Sequence, residues 1–446
     1  MLRGSGAAAA GGAPRSFDVP TAPARDHRIA RLVAGEAWPT VLAPIDRIAP
    51  IPVAAHSDMP PAAEGGVPVL YVEAEDGSRV PLCVVRPGGT VAWGVDPADW
   101  IEGILTERYV RGWIRPLPSR LPFFNYSHLP HAVKGLFQRF QDPRRQPSVK
   151  PVEFPCVPLD DFVDVIRRLC HTLAFGREPE VDRLWPHGHR AAITVTHDVD
   201  TSWILDGKRG SLLREILARE TSLGLKGAWY VPGVQLHPAR HAAAIARIAA
   251  AGHELGCHGW NHDGKLEYLP PARQVRRMER IAARFRGLGL LGMRTPWYCR
   301  SPDLSQVMAR YFAYDTSIPT TSAFFASRCN TGCCTIFPWE PAPGLIELPL
   351  TLPPDTAVAP GDGWETVLGL AEAIVARGGV IVVILHPQPH QSATPEGLRG
   401  YFGFLEELVS RFRGRLWSGT PAEVVRCYAA AISSPPRPVP GLAPTP

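Results

Sequence analysis

From about residue 186 onward, short apolar runs alternate with longer amphipathic stretches. "AAITVT" (191–196), "KGAWYV", "HELGCH", "LLGMRT", "LIELPLT" and "VIVVIL" (380–385) each predict a strand. Between and after them the apolar period is helical. "SLLREILARETSLG" and "ARHAAAIARIAAAG" predict helices, the second stopped by Gly252. The next opens on Pro270–Pro271 and carries Val275, Met278, Ala282 and Phe285 at helical spacing. Further helices are predicted at "LSQVMARYF", at the stretch with Trp364, Val367, Leu368, Ala371, Ile374 and Val375 on one face, and at "LRGYFGFLEELVSRF". After "RLWSGT" a last helix runs through Cys427.

Strands alternating with helices in this way imply a parallel sheet with crossover helices, an α/β fold. About seven such units favour a barrel related to the eight-unit kind over a short open sheet. Residues 36–185 mix strand-like runs ("VPVLYVE", "RVPLCVV") with helical ones ("LDDFVDVIRRLCHTL") and hold no chemical motif, so they are expected to form a smaller α+β accessory domain. The Ala/Gly/Pro-rich residues 1–35 and the Pro-rich residues 431–446 read as flexible tails, which leaves 186–430 as the main domain.

Composition narrows the class. The chain has 446 residues, 45% hydrophobic and 20% charged, enough to bury a sizeable core. Its net charge of +5 comes without any block of basic residues, which argues against nucleic acid or a membrane surface as partner. "VIVVIL" is far too short to span a bilayer, and the first residues lack the apolar core of a signal peptide, so the cytoplasm is the expected location. Nine cysteines, an odd number, point to reduced thiols. "CNTGCC" (Cys329, Cys333, Cys334) lacks a second ligand pair at zinc-site spacing and reads as ordinary thiols.

The chemistry-bearing residues follow predicted strands. "TVTHDVD" ends in Asp198 and Asp200, two apart, which in extended chain puts both carboxylates on one face. "HGWNHD" brings His258 and His262, "RTPWY" brings Arg294, and "LHP" brings His386. Carboxyl ends of parallel strands share one rim, so these groups are expected to meet. Fifteen histidines make about half an HxxxH pair expected by chance. The chain holds three, and of these only His258/His262 is free to take a helical i, i+4 geometry with both rings on one face. Two crowded carboxylates need a compensating charge. One carboxylate with two imidazoles makes a three-ligand divalent-cation site with open positions, as for catalytic zinc, and the set also suits iron(II). The other carboxylate is left to accept a proton, held ionised by Arg294.

"THDVD", "HGWNH", "RTPW" and "LHP", in that order, resemble the successive motifs of the polysaccharide deacetylase family (carbohydrate esterase family four, the NodB-homology domain). The resemblance spans about 186–430 and implies a distorted (β/α)7 barrel and metal-dependent removal of acyl groups from amide nitrogens of sugars. It implies Asp198 as general base, Asp200, His258 and His262 as metal ligands, and Arg294 as the tether of the base. Trp297 and Tyr298 would wall the site, with a backbone amide near Tyr298 for the oxyanion, and His386 would protonate the leaving amine. The implied cofactor is a divalent metal ion, zinc first, with cobalt or nickel admitted. The implied partner is an N-acylated sugar or glycan intermediate.

The pattern departs from the family's in one place: the usual motif has two adjacent aspartates and a glycine, whereas here Val199 intervenes and Thr201 follows. Which aspartate is base and which ligand therefore stays open at the level of sequence. Two rivals share the motifs: an amidohydrolase acting on a cyclic, non-sugar amide, and a carbohydrate-binding pseudoenzyme. A serine hydrolase is disfavoured, because no G-x-S-x-G elbow occurs. Trp203 and Trp260 are further aromatic candidates for stacking on a sugar ring.

Overall fold

The computed structural model describes residues 27–34, 51–54, 66–73, 77–86, 91–93, 101–102, 105, 133, 158–175, 177, 179, 184–206, 210–298, 300–320, 332–333, 335–358 and 363–433. Two sheets are present among them. The first is antiparallel, in the order β2 (Ile51–Ala54), β1 (His27–Ala34), β3 (Val67–Glu73), β4 (Arg79–Val85) and β5 (Val91–Trp93). β1 lies inside the stretch expected as a flexible tail. Its alternating "RIARLVA" pairs with β3 from Arg31 opposite Glu73 to Ala34 opposite Leu70. Cys329 and Cys334 lie outside the described residues, and Cys333 is buried.

The second sheet carries the chemistry. Its order is β11 (Trp339–Ala342), β12 (Leu345–Glu347), β10 (Tyr314–Asp315), β9 (Gly292–Met293), β8 (Glu254–Cys257), β7 (Gly227–Val231), β6 (Ala191–Asp198) and β13 (Val380–Leu385). All neighbours run parallel except the β11–β12 hairpin. β14 (Leu416–Ser418) pairs with the first half of β6, and β7 with the second half. At the far edge, the Val380 N–H donates to the Ile336 carbonyl and the Val382 N–H to the Thr351 hydroxyl. The parallel strands thus curl into a half-barrel, distorted as expected.

Helices α2 (Gly210–Ser222), α3 (Pro238–Ala250), α4 (Pro271–Arg284), α5 (Pro302–Met308), α6 (Gly363–Arg377) and α7 (Pro395–Arg411) contribute their apolar stripes to one core with the outward-facing strand residues. The inward-facing residues form a second core. Ala192, Ala228, Tyr230, Tyr314, Val380 and Val382 pack there against Val424, Val425 and Tyr428 of α8 (Pro421–Ser433). Small residues make room for large ones in this interior: a Cβ on Gly292 would sit 1.8 Å from the Tyr314 ring. α1 (Pro158–Phe175), expected in the accessory domain, is tied to the half-barrel. Asp160 accepts from the Thr335 hydroxyl (2.5 Å) and the Ile336 N–H (2.9 Å), and Arg377 Nε donates to Asp161 (2.8 Å).

Two predicted elements are shorter than expected. "LLGMRT" is strand only at Gly292–Met293, and the helix expected at "LSQVMARYF" starts at Pro302 and ends at Met308. Ser301 caps that helix, its Oγ accepting the Leu304 N–H at 3.2 Å. No helix among the described residues is long and apolar enough to cross a membrane.

Candidate active site

The ladder between strands outlasts the strands themselves, and this places the site. The Val199 N–H donates to the Tyr230 carbonyl (2.9 Å), His258 N–H to Val231 (3.0 Å), and Arg294 N–H to Cys257 (2.9 Å). Each chemistry-bearing segment is thereby tied to its neighbour at the carboxyl end of the sheet. Val199 is buried in the sheet–helix core, and the carboxylates on either side of it turn to the opposite face. The inserted valine keeps both acids in the site by the period-two rule.

Asp200, His258 and His262 converge. Asp200 Oδ1 lies 3.5 Å from His258 Nε2 and 3.2 Å from His262 Nε2, and the three ligand atoms fall within 4.8 Å of one another. The two histidines do not share a helix. They sit in a loop, because Gly259 takes a left-handed backbone (φ 69°) and any Cβ there would press on the Pro296 ring at 2.8 Å. The expected helical i, i+4 geometry is therefore replaced by a turn that brings the ring centroids to 5.1 Å. It is His241 that lies on a helix, α3, with His237 as its N-cap.

Two observations test whether a cation suits these residues. Asp200 Oδ1 is buried without a hydrogen-bond partner, and the His258 Nδ1–H donates to the Arg294 carbonyl (2.9 Å), which leaves the Nε2 lone pair facing Asp200. An oxygen and an imidazole nitrogen presented in this way are the donor set of a divalent metal. Gln391 Nε2 donates to the other Asp200 oxygen at 3.4 Å. Trp297 Nε1 donates to His262 Nδ1 at 3.2 Å, so binding a cation through Nε2 would require His262 to move its hydrogen to Nδ1 and give up this contact. Burial alone would raise the Asp200 pKa, but His262, His258 and His386 outweigh it and hold the carboxyl well below the usual range.

Asp198 has different partners. Arg294, wholly buried, donates from one guanidinium nitrogen to Asp198 Oδ1 (2.7 Å) and Thr196 Oγ1 (2.9 Å), and its Nε donates to the Thr316 carbonyl (2.9 Å). Its carbon lies 4.7 Å over the Tyr230 ring. Burial works against ionisation of Asp198, and Arg294, His258 and His386 overcome it, leaving the pKa below the ordinary value. The free oxygen, Oδ2, faces His386 Nε2 at 3.7 Å. His386 is held by Asp355, whose two oxygens take its ring Nδ1–H (2.6 Å) and its backbone N–H (2.8 Å). Burial pulls the His386 pKa down, but Asp355, Asp198 and Asp200 lift it to about 9.

The wall is strained backbone. Trp297 and Tyr298 both take left-handed conformations (φ 64° and 55°), uncommon for bulky side chains. The Tyr298 N–H, a candidate oxyanion donor, is spent on the Thr295 carbonyl at 3.1 Å. Trp260 is covered by Arg280, 4.3 Å over its ring, so that face is not open to a sugar, and Trp203 packs partly buried against the core. Asp355 and Gln391 carry no sequence signal that marks them for the site. Asp355 follows "TLPP" with no distinctive spacing, and Gln391 lies in the "HPQPHQ" loop, where the polar density is the one clue.

Residues 199–311 match the sequence family described as polysaccharide deacetylase. No curated protein sequence matches the chain. Among solved structures, the chain is similar to a protein from Mycobacterium smegmatis assigned to the polysaccharide deacetylases, at 20% identity and TM-score 0.43, over 56% of this chain and 94% of that one. It is also similar to Puue allantoinase (15% identity, TM-score 0.42, 56% and 94% covered). A family 4 carbohydrate esterase from Streptomyces lividans, solved in complex with acetate, shows 17% identity, TM-score 0.31, and coverage of 52% and 93%. The stretch that matches this family model holds Asp200, His258, His262 and Arg294 of the rim, while Asp198 and His386 lie outside it on the same curled parallel half-barrel.

Proposed function

We propose that this protein is a metal-dependent hydrolase that removes an acyl group, acetyl in the simplest case, from an amide nitrogen of a sugar or glycan intermediate. The observation that carries the reading is the separation of roles between two buried carboxylates. Asp200 faces two imidazoles, while Asp198 faces a guanidinium and a third imidazole.

Asp200, His258 and His262 would hold the cation, with zinc, cobalt or nickel fitting the donor set. When bound, it supplies Lewis-acid polarisation of the carbonyl and a water of lowered pKa. Asp198 accepts the proton of the attacking water through Oδ2, because Oδ1 is committed to Arg294. His386, kept protonated by Asp355, then donates from Nε2 to the departing nitrogen, since an amine anion is too poor a leaving group. The half-buried Trp297 and Tyr298 wall the acyl-binding side.

The test is hydrolysis of a panel of N-acetylated sugars and cyclic amides by the full chain, before and after chelation. Release of acetate from sugars, lost on chelation and restored by zinc, is the expected result. Turnover of cyclic amides alone would move the assignment to the amidohydrolase reading, and turnover indifferent to chelation would overturn the metal role.

A further inference from the structure

The reverse face of β6 carries a second group of the same donor types. His197 points away from the active site toward the helices, and there meets Glu220 of α2 and His253, the residue before β8. One ligand atom from each lies within 4.8 Å of the others, and all three side chains are fully excluded from solvent.

Their hydrogen bonding does not close without a cation. The His197 Nδ1–H donates to the Ala228 carbonyl (3.1 Å), so Nε2 presents a lone pair. That lone pair faces Glu220 Oε1 at 2.9 Å, an oxygen that already accepts the Tyr401 O–H at 2.6 Å. Glu220 Oε2 and both ring nitrogens of His253 have no hydrogen-bond partner, although His253 Nε2 is 3.7 Å from that oxygen. A proton added to His197 would satisfy the first contact and leave His253 and Oε2 orphaned, at a cost that buried polar groups rarely bear. A divalent cation would take up the His197 lone pair, the Glu220 carboxylate and one ring nitrogen of His253, which leaves only the other His253 nitrogen unpaired. The supports are those of a metal ligand set: a backbone carbonyl on His197, a tyrosine hydroxyl on Glu220, and Trp229 stacked 3.9 Å from the His197 ring.

We propose that His197, Glu220 and His253 form a second, structural divalent-cation site of the zinc type, enclosed between β6 and helices α2 and α7. It pins the strand that ends in Asp198 to the helix layer behind it.

The test is metal content of full-length protein after dialysis against zinc, in a variant that lacks the rim ligands (His258→Ala with His262→Ala). About one equivalent is expected to remain, and the further change His253→Gln should remove it. X-ray absorption of the zinc in the rim variant, which needs no change at the buried group, should show imidazole and oxygen ligands. A rim variant that takes up no zinc overturns the inference, as does zinc with sulfur ligands or zinc unaffected by His253→Gln in a folded protein. Failure of the rim reading is distinguishable: it appears as a metal count that does not fall when His258 and His262 are replaced.

Discussion

Asp355 grips His386 at two points, accepting the ring Nδ1–H at 2.6 Å and the backbone N–H at 2.8 Å. The arrangement turns Nε2 toward Asp198 and keeps the imidazole charged to about pH 9. A general acid must carry its proton, so activity should fall as pH rises through that value. Asp355→Asn removes the strongest raising influence and should bring the alkaline limb of the kcat profile to lower pH. The same shift has a stability consequence. The folded-state pKa lies above the ordinary 6.5, so the contribution is fully present below 6.5 and lost as pH rises through about 9. An alkaline limb that Asp355→Asn leaves in place would remove His386 from the acid's role.

The Arg294–Asp198 pair separates chemistry from folding. Asp198→Asn keeps shape and neutral hydrogen bonding, so turnover should drop by about 10²–10⁴ while metal content stays unchanged. Arg294→Met leaves a buried carboxylate unpaired and should cost about 3–5 kcal/mol of stability as well. Steady-state kinetics, metal analysis and urea unfolding of both variants check the contrast.

Beneath the rim, Asp315 and Glu347 form a buried acid pair. Glu347 Oε1 accepts the Ser317 and Ile318 N–H groups (2.9 and 2.7 Å), and Ser317, bonded to Asp315, takes the Thr295 N–H beside Arg294. Burial, then mutual repulsion, raises Glu347 well above the usual carboxylate range, and burial raises Asp315 to about 6. Raised folded-state values mean stability that is complete below the ordinary carboxylate pKa and is lost as pH rises through about 6 and beyond. Glu347→Gln should flatten that decline in denaturation midpoints measured across pH. A decline as steep as in the parent protein would show the pair to be ionised without cost.

Gly292→Ala tests the interior. The new methyl would meet the Tyr314 ring, which is fixed by its hydroxyl contacts to Tyr230 (3.0 Å) and to Glu254. Overpacking of this kind should cost about 1–3 kcal/mol in chemical denaturation. An unchanged midpoint would mean that the tyrosines have room to move.

Much of the half-barrel is legible in the order of residues alone. "VIVVIL" is a strand buried on both faces, and the helix at Gly363–Arg377 buries Val367, Leu368, Ala371, Ile374 and Val375 on the stripe that its spacing marks. Periodicity is local, and it survives folding because burial on one face is what selects it. The rim residues are legible for a related reason: the ends of parallel strands converge whatever the loops do. Loop-borne geometry is not. His258 and His262 come together through a left-handed Gly259 rather than a helical turn, and no spacing rule carries that information.

The sequence by itself determined most of the half-barrel's strands and helices, though not the short strands at Tyr314–Asp315 and Trp339–Ala342, and it determined that Asp198, Asp200, His258, His262, Arg294 and His386 follow strand ends. The tertiary structure alone decided that Asp355 steadies His386, that Arg294 chooses Asp198, and that His197, Glu220 and His253 meet behind the strand. The hydrogen bonds within these groups join residues 23 to 96 positions apart, and only packing of the sheet against its helices brings such distant side chains within bonding range.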